Sequence, residues 1–254
     1  MVIMDFTGVY KRETFYREHE FLWLDLKEIQ GTNCYCDREG EEELRSKIGN
    51  LGAEGLHFLD SGNYHYVSKL WLDQVEEEFE LLVFDHHTDM QPPAFGDLLS
   101  CGGWIKAALE TNARLKRVWL AGPGEEGIQE AEALGFGKRV VFIREKDMEE
   151  RGWQEEWLGK TDLPLYISVD KDVCSEKDAR TNWDQGEVHL DTVLDMIRMA
   201  GRKRRIIGMD VCGENPEEGE GDQEGSDRMV NDRANQALAE VYLELCYLER
   251  IKGA

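Results

Sequence analysis

The 254-residue sequence predicts an α/β protein with a single doubly wound parallel sheet of about eight strands and helices on both faces. Two observations predict this fold class. Short apolar, β-branched or aromatic runs recur along the chain, and helix-like segments separate them. Strands that alternate with helices of this length form a parallel sheet covered on both faces, giving three α/β/α layers. Because no repeat and no linker divides the chain, we expect one domain over residues 1–254.

The predicted strands are the apolar runs, and the predicted helices fill the intervals between them. Strands are expected at VIM (2–4), FLWLDL (21–26), GLHFLD (55–60), LLVFDH (81–86), RVWLAG (117–122), VVFIR (140–144), PLYISV (164–169) and RIIGMDV (205–211). Helices are expected over 41–51, 67–79, 101–113, 126–136, 190–200 and 234–251. The stretch 214–228, rich in Glu and Gly, is expected to be irregular, either as a solvated loop or as a lid.

The charge and the cysteines exclude several classes of protein. With 53 acidic and 30 basic residues, the net charge of −23 has the wrong sign for binding nucleic acid or an anionic membrane. It suits a Glu-rich surface and also a small cationic substrate. The six cysteines form no CxxC motif, so we expect reduced thiols in a cytoplasmic protein. No signal peptide or membrane span is expected, and homo-oligomerisation stays open.

Polar side chains follow four of the predicted strands. They lie in SGNYH (61–65), DHHTD (85–89), DKD (170–172) and DVCGENP (210–216). In such sheets ligands bind beyond the carboxyl ends of the strands, so these stretches are expected to meet. Four carboxylates and two imidazoles in one low-dielectric pocket need compensating cations. Two divalent cations would neutralise them, with Mn²⁺ as the first candidate and Fe²⁺, Co²⁺, Ni²⁺ or Zn²⁺ as alternatives.

The spacing of these residues predicts which side chains converge. In extended chain alternate residues share a face, so Asp85, His87 and Asp89 are expected to point one way and His86 the other. The two aspartates of DKD (170–172) form the same kind of pair. Two cations held by such carboxylates activate water for hydrolysis.

In this order, the stretches resemble those of the ureohydrolases, which include arginase, agmatinase and formimidoylglutamase and share a fold with the histone deacetylases. GNYH (62–65), DHHTD (85–89) and SVDKD (168–172) match the family's Gly-Gly-Asp-His, Asp-Ala-His-x-Asp and Ser-x-Asp-x-Asp. The resemblance runs from about residue 55 to residue 216. It implies an arginase-like fold, and Asp170 with either Asp85 or Asp89 as bridges between two manganese ions. The implied ligands are His65, Asp85, His87, Asp89, Asp170 and Asp172.

The resemblance also implies a reaction, in which a metal-bridging hydroxide attacks a guanidinium or amidine carbon and a C–N bond breaks. Asp89 would hold the attacking water and relay its proton. The family's Asp-x-x-Glu-x-Asn-Pro glutamate holds the substrate guanidinium, but DVCGENP (210–216) places Gly213 at that position and Glu214 one residue later. That shift turns the carboxylate to the other face of a strand unless a bulge at Gly213 restores it. Glu214 is then the candidate group for the substrate cation.

Two further stretches supply candidate substrate-binding residues. Ser100 in SCGGW (100–104) either lines the pocket or caps a helix. Trp183, Asp184 and Gln185 follow the DKD strand in a loop, where binding residues gather, although a plain structured loop is the other interpretation. The family's proton-shuttle histidine has no counterpart in residues 90–104.

Three other functions compete with a C–N hydrolase. The missing guanidinium glutamate favours an amide deacylase of the same fold, and the missing shuttle histidine favours a metal-stabilised binding protein without turnover. Gly122, Gly124 and Gly127 imitate a dinucleotide-binding motif. Glu125 and Glu126 would repel a pyrophosphate there, which favours a plain β–α turn.

Overall fold

The computed structural model describes residues 1–93, 96–148, 161–216 and 223–252. Within them ten strands form an eight-stranded parallel sheet and a two-stranded antiparallel sheet, the latter from β3 and β6. The strands are β1 Val2–Asp5, β2 Leu22–Asp25, β3 Tyr35–Cys36, β4 Leu56–Phe58, β5 Phe79–Phe84, β6 Leu99–Ser100, β7 Leu115–Ala121, β8 Val140–Ile143, β9 Leu165–Asp170 and β10 Ile206–Cys212. All eight strands of the large sheet were predicted from the sequence.

The strand order brings the polar stretches together. The large sheet runs β2-β1-β4-β10-β9-β5-β7-β8, with every neighbouring pair parallel. Strands β9 and β10 come last in the chain but lie at the centre, between β4 and β5. The carboxyl ends of β4, β10, β9 and β5 are therefore side by side. In parallel α/β sheets this is the edge at which ligands bind.

Helices cover both faces of the large sheet, which confirms the predicted fold class. Alternate residues of β5 enter two separate buried clusters, Leu81 and Val83 in one and Leu82 and Phe84 in the other. The helices are α1 Arg38–Ile48, α2 Val67–Leu72, α3 Trp104–Thr111, α4 Glu125–Glu132, α5 Glu145–Met148, α6 Leu190–Lys203 and α7 Gln223–Lys252.

The structure differs from the sequence prediction in several elements, among them the short helix α5, which was not predicted. The helix predicted over 67–79 ends at Leu72, because Phe79 already belongs to β5 and the whole strand is buried. The irregular segment predicted over 214–228 is helical from Gln223, while residues 217–222 lie outside the described residues. The two-residue strands β3 and β6 were missed because they are too short to show an alternating pattern.

Two findings concern membrane-spanning helices and cysteines. No described helix combines the length and the apolar character that crossing a membrane requires. All six cysteines are free thiols, four of them buried.

Candidate metal centre

A first group of buried side chains surrounds His65, which follows β4. Its Nδ1 atom lies 3.2 Å from Asp85 Oδ2, 3.0 Å from Asp89 Oδ2 and 3.4 Å from Asp170 Oδ2. Asp85 and Asp89 follow β5, and Asp170 ends β9. Three strand ends therefore deliver one imidazole and three carboxylates to a single point.

A second group surrounds His87 and shares one residue with the first. His87 Nδ1 lies 2.9 Å from Asp172 Oδ2 and 3.6 Å from Asp85 Oδ1. The backbone N–H of His86 donates to the other oxygen of Asp172, over 3.0 Å. Asp85 thus turns one oxygen toward His65 and the other toward His87. Of the two bridging candidates from the sequence, the geometry favours Asp85.

The donor atoms of these groups fit a cation better than they fit each other. His65 Nδ1 and Asp85 Oδ2 are buried and have no hydrogen-bond partner among the described residues. Both lie close to other polar atoms, yet they converge on a common point instead of forming directed hydrogen bonds. Nitrogen and oxygen ligands about 2.1 Å from one cation lie roughly 3 Å or slightly more from each other. The separations around His65 have this size.

The electrostatics of the site also favour a bound cation. Burial and the nearby charge of Asp85 raise the pKa of Asp89 to about 7, and burial raises the pKa of Asp170. Burial opposes the charged form of His87, but the carboxylates of Asp172 and Asp85 outweigh it and raise its pKa to about 12. Without a cation, the protein limits its negative charge here only by retaining protons. A divalent cation would replace them.

Three further side chains orient the donor groups. Ser168 Oγ lies 2.9 Å from His65 Nε2 and donates a 2.6 Å hydrogen bond to Asp210 Oδ1. Trp104 Nε1 donates a 2.7 Å hydrogen bond to Asp89 Oδ2. Such partners fix the orientation of metal ligands. The sequence prediction missed these contacts, although alternation along β9 already places Ser168 on the same face as Asp170.

An open cavity of about 560 Å³ leads to both groups. Asp85, Asp89, Asp170 and Asp172 line it, as do the predicted substrate residues Ser100, Trp183 and Asp184. Asp184 Oδ1 lies 3.0 Å from His87 Nε2, and Trp183 Nε1 donates a 2.9 Å hydrogen bond to Asn63 Oδ1. The loop after β9 therefore forms part of the cavity wall, as expected from the sequence.

Two predicted positions differ in the structure. Gln185 does not line the cavity, because its amide donates to the backbone carbonyls of Cys174 and Ala179. His86 was expected on the opposite face from its neighbours, yet it lines the same cavity. The chain leaves the extended conformation after β5, and Asp89 has a φ of 48°. The alternation of side chains between the two faces of the sheet therefore stops where β5 ends.

Glu214 does not lie where the sequence prediction placed it. Its carboxylate pairs with Lys171, and Asn231 and Asn235 donate hydrogen bonds to it over 2.9 and 2.7 Å. It is 1% exposed and does not line the cavity, so it is not placed to bind a substrate cation. The position of Glu214 follows from the backbone at Gly213, which has a φ of 96°. The chain there passes so close to Asp170 that a Cβ atom would lie 2.6 Å from Asp170 Oδ1.

The glycine motif at 122–127 forms a β–α turn beside the cavity. Gly122 follows β7 with a φ of 109°, and a Cβ atom there would lie 2.9 Å from the Asp85 carbonyl oxygen. Helix α4 then begins at Glu125, and Glu125, Glu126 and Glu130 line the outer cavity. This acidic wall suits a cation and opposes a pyrophosphate.

Comparison with known sequences decides the family. The sequence model of the arginase family matches residues 55–244. This chain belongs to the arginase family. An uncharacterised protein of Thermotoga maritima is 30% identical over 213 residues, which cover 84% of this chain and 78% of that protein. The family assigned from the sequence motifs is thereby confirmed.

Solved structures agree with the arginase-like fold. The agmatine ureohydrolase of Thermoplasma volcanium has a TM-score of 0.66 at 17% identity, covering 96% of this chain and 90% of that one. A hypothetical agmatinase from Burkholderia thailandensis has a TM-score of 0.59 at 17% identity, covering 84% of this chain. This chain spans 65% of that protein, less than two thirds of its length. At these identities the likeness establishes the fold.

Proposed function

We propose that this member of the arginase family is a binuclear metal-dependent hydrolase that cleaves a C–N bond of a small guanidine- or amidine-type substrate. The observation that carries the proposal is the pair of carboxylate–imidazole groups that share Asp85 at the base of an open cavity. Two divalent cations bound there would act as Lewis acids and lower the pKa of water. Carboxylates with imidazoles favour Mn²⁺, and Fe²⁺, Co²⁺, Ni²⁺ and Zn²⁺ are alternatives.

The proposed ligands fall into two sets that follow the two groups. His65, Asp89 and Asp170 would hold one cation, His87 and Asp172 the other, and Asp85 would contact both. Because Asp85 belongs to both donor groups, two cations held there would both face the same cavity.

Asp89 is the proposed group that positions water and moves its proton. One of its oxygens accepts the hydrogen bond from Trp104, and its side chain also lines the cavity. Trp104 thereby fixes the carboxylate while the second oxygen is left for a water molecule. Proton transfer needs a heavy-atom distance of about 2.6–3.2 Å, so this fixed orientation is what the role requires.

Substrate recognition is proposed to depend on the cavity wall, because Glu214 is turned away. Asp184 offers an exposed carboxylate beside His87, Trp183 an aromatic face and Ser100 a hydroxyl group. A carboxylate next to an aromatic ring suits a planar cation, which combines charge pairing with a cation–π contact. We also propose a reducing, cytoplasmic location, because all six cysteines are free.

Metal analysis with a substrate screen tests this function. The purified protein is expected to contain about two divalent cations per chain and to release urea, ammonia or an amine from a guanidine or amidine. Asp170→Asn is expected to lose bound metal and all activity, whereas Asp195→Asn, an exposed substitution on α6, keeps both. Two bound cations without product from any guanidine, amidine or amide would contradict the proposed hydrolase and favour a binding protein without turnover.

One observation favours a second candidate, an amide deacylase. Gly213 leaves no side chain at the family's guanidinium-binding position, so that position offers no carboxylate of its own to pair with a guanidinium. Assaying acetylated amines beside guanidines separates the two reactions. Faster release of acetate than of urea or ammonia would favour the deacylase.

A further inference from the structure

A buried thiol reaches the first group of donors. Cys212 ends β10, directly in register with Asp170 at the end of β9. Residues in register on neighbouring parallel strands project to the same face of the sheet. Cys212 Sγ accordingly lies 3.1 Å from Asp170 Oδ2. The Cys212 sulfur and one donor atom each from His65 and Asp170 all lie within 4.8 Å of one another.

A second observation concerns the ring nitrogen of His65. His65 Nδ1 is fully buried, has no hydrogen-bond partner within the described part of the chain, and is aimed at the place where the Asp85, Asp89 and Asp170 carboxylates converge. Cys212 is itself fully buried, so its sulfur faces this cluster and not solvent. The second group, around His87, contains only oxygen and nitrogen donors. The two groups therefore differ in chemistry.

We propose that Cys212 is a seventh protein ligand and gives sulfur to the cation held by His65. The inference rests on the proposed metal site and deepens it. A metal–sulfur bond forms, and the thiol proton passes to solvent as the metal binds. Thiolate favours zinc and other softer ions, whereas carboxylate and water suit manganese and magnesium. The site at His65 therefore prefers a softer ion than the site at His87. When zinc and manganese are both supplied, the two sites bind different metals.

The alternative role for Cys212 is a hydrogen bond alone. Its thiol then donates to Asp170 and orients that carboxylate without touching the metal. Spectroscopy distinguishes the two roles directly, because only a bonded sulfur changes the electronic and scattering signals of the ion.

The first measurement uses the whole protein, stripped of metal and reloaded with Co²⁺. Sulfur-to-cobalt charge transfer is expected in the near-ultraviolet spectrum of the wild type and absent from Cys212→Ser. Cys34→Ser is the matched control, because Cys34 also lines the cavity. That variant is expected to keep the band. Zinc affinity of Cys212→Ser should fall at least about tenfold, with little change for Mn²⁺.

The second measurement needs no variant and keeps the inference testable if Cys212→Ser fails to fold. X-ray absorption of the zinc-loaded wild type is expected to show sulfur at about 2.3 Å beside nitrogen and oxygen at about 2.0–2.1 Å. Two bound ions without a sulfur shell or a charge-transfer band would overturn the Cys212 ligand and leave the proposed hydrolase intact. Failure to bind any divalent ion would overturn the proposed function itself.

Discussion

Two buried acidic clusters meet at the end of β9, and only one of them contains a lysine. The metal-side cluster contains Asp170 and Asp172. Between them in the chain, Lys171 points into the other cluster, where it pairs with Glu214 and lies 3.0 Å from Asn235 Oδ1. This second cluster comprises Lys171, Glu214 and Glu13 together with Asn231 and Asn235. Apart from one oxygen of Glu13, its carboxylates and its lysine all have polar partners.

The metal-side cluster has no permanently charged basic side chain and relies on protons held by its imidazoles and carboxylates. No lysine or arginine lines its cavity among the described residues, and His65 and Asp85 each keep one unpaired atom. Burial is nearly the same in the two clusters, since Glu214, Asp85 and His65 are each 1% exposed. The comparison teaches that buried carboxylates by themselves do not mark a metal site. The lack of a lysine or arginine partner, together with unpaired donor atoms and access to solvent, distinguishes the metal-side cluster.

Removing one carboxylate from each cluster is expected to have opposite effects on stability. Glu214→Gln leaves the buried Lys171 charge without its anionic partner and should lower the free energy of unfolding by about 3–5 kcal/mol. Asp170→Asn removes one of several like charges and should leave the metal-free protein as stable as the wild type or more so. Urea unfolding of chelator-treated protein measures both.

Added Mn²⁺ completes this test. It should raise the unfolding free energy of the wild type and of Glu214→Gln by about 2.7 kcal/mol at a hundred times the dissociation constant. Asp170→Asn should show no such gain. Equal destabilisation by the two substitutions, or equal stabilisation by Mn²⁺, would remove the distinction between the clusters.

A smaller change in the free energy of unfolding is expected when pH is varied, because Glu13 titrates differently in the folded and unfolded chains. Burial and the charge of Glu214 raise its pKa from 4.5 to about 10. Between these two pKa values Glu13 is ionised in the unfolded chain and protonated in the folded one. The contribution of Glu13 to the free energy of unfolding is therefore greatest below the lower pKa and falls as pH rises. The slope is at most about 1.4 kcal/mol per pH unit.

Glu13→Gln is expected to remove that slope, because an amide resembles the protonated acid and does not titrate. Unfolding measured at about pH 6 and about pH 8 compares the variant with the wild type and with Glu240→Gln, an exposed control. An unchanged slope in Glu13→Gln would show that this carboxyl group is ionised in the folded protein.

The sequence predicts the metal-side cluster far better than its neighbour. Buried apolar runs locate the strands, and polar residues at their ends locate His65, Asp85 and Asp170, since a parallel sheet gathers those ends. The pair of Lys171 and Glu214 joins residues 43 apart, and no local pattern relates them. The direction of Glu214 depends on the positive φ of Gly213, which only the folded backbone reveals.

The smallest expected effect on stability concerns Asp184, at the boundary between the metal-side cluster and solvent. Its side chain is 78% exposed, and it lies 3.0 Å from His87 Nε2. An exposed ion pair contributes about 0–1 kcal/mol, so Asp184→Asn should scarcely change unfolding or metal content. If Asp184 binds the substrate cation, KM should rise for charged guanidines and stay constant for neutral amides, with kcat little changed. Equal KM changes for both classes would instead assign Asp184 to positioning His87, because a displaced His87 affects every substrate alike.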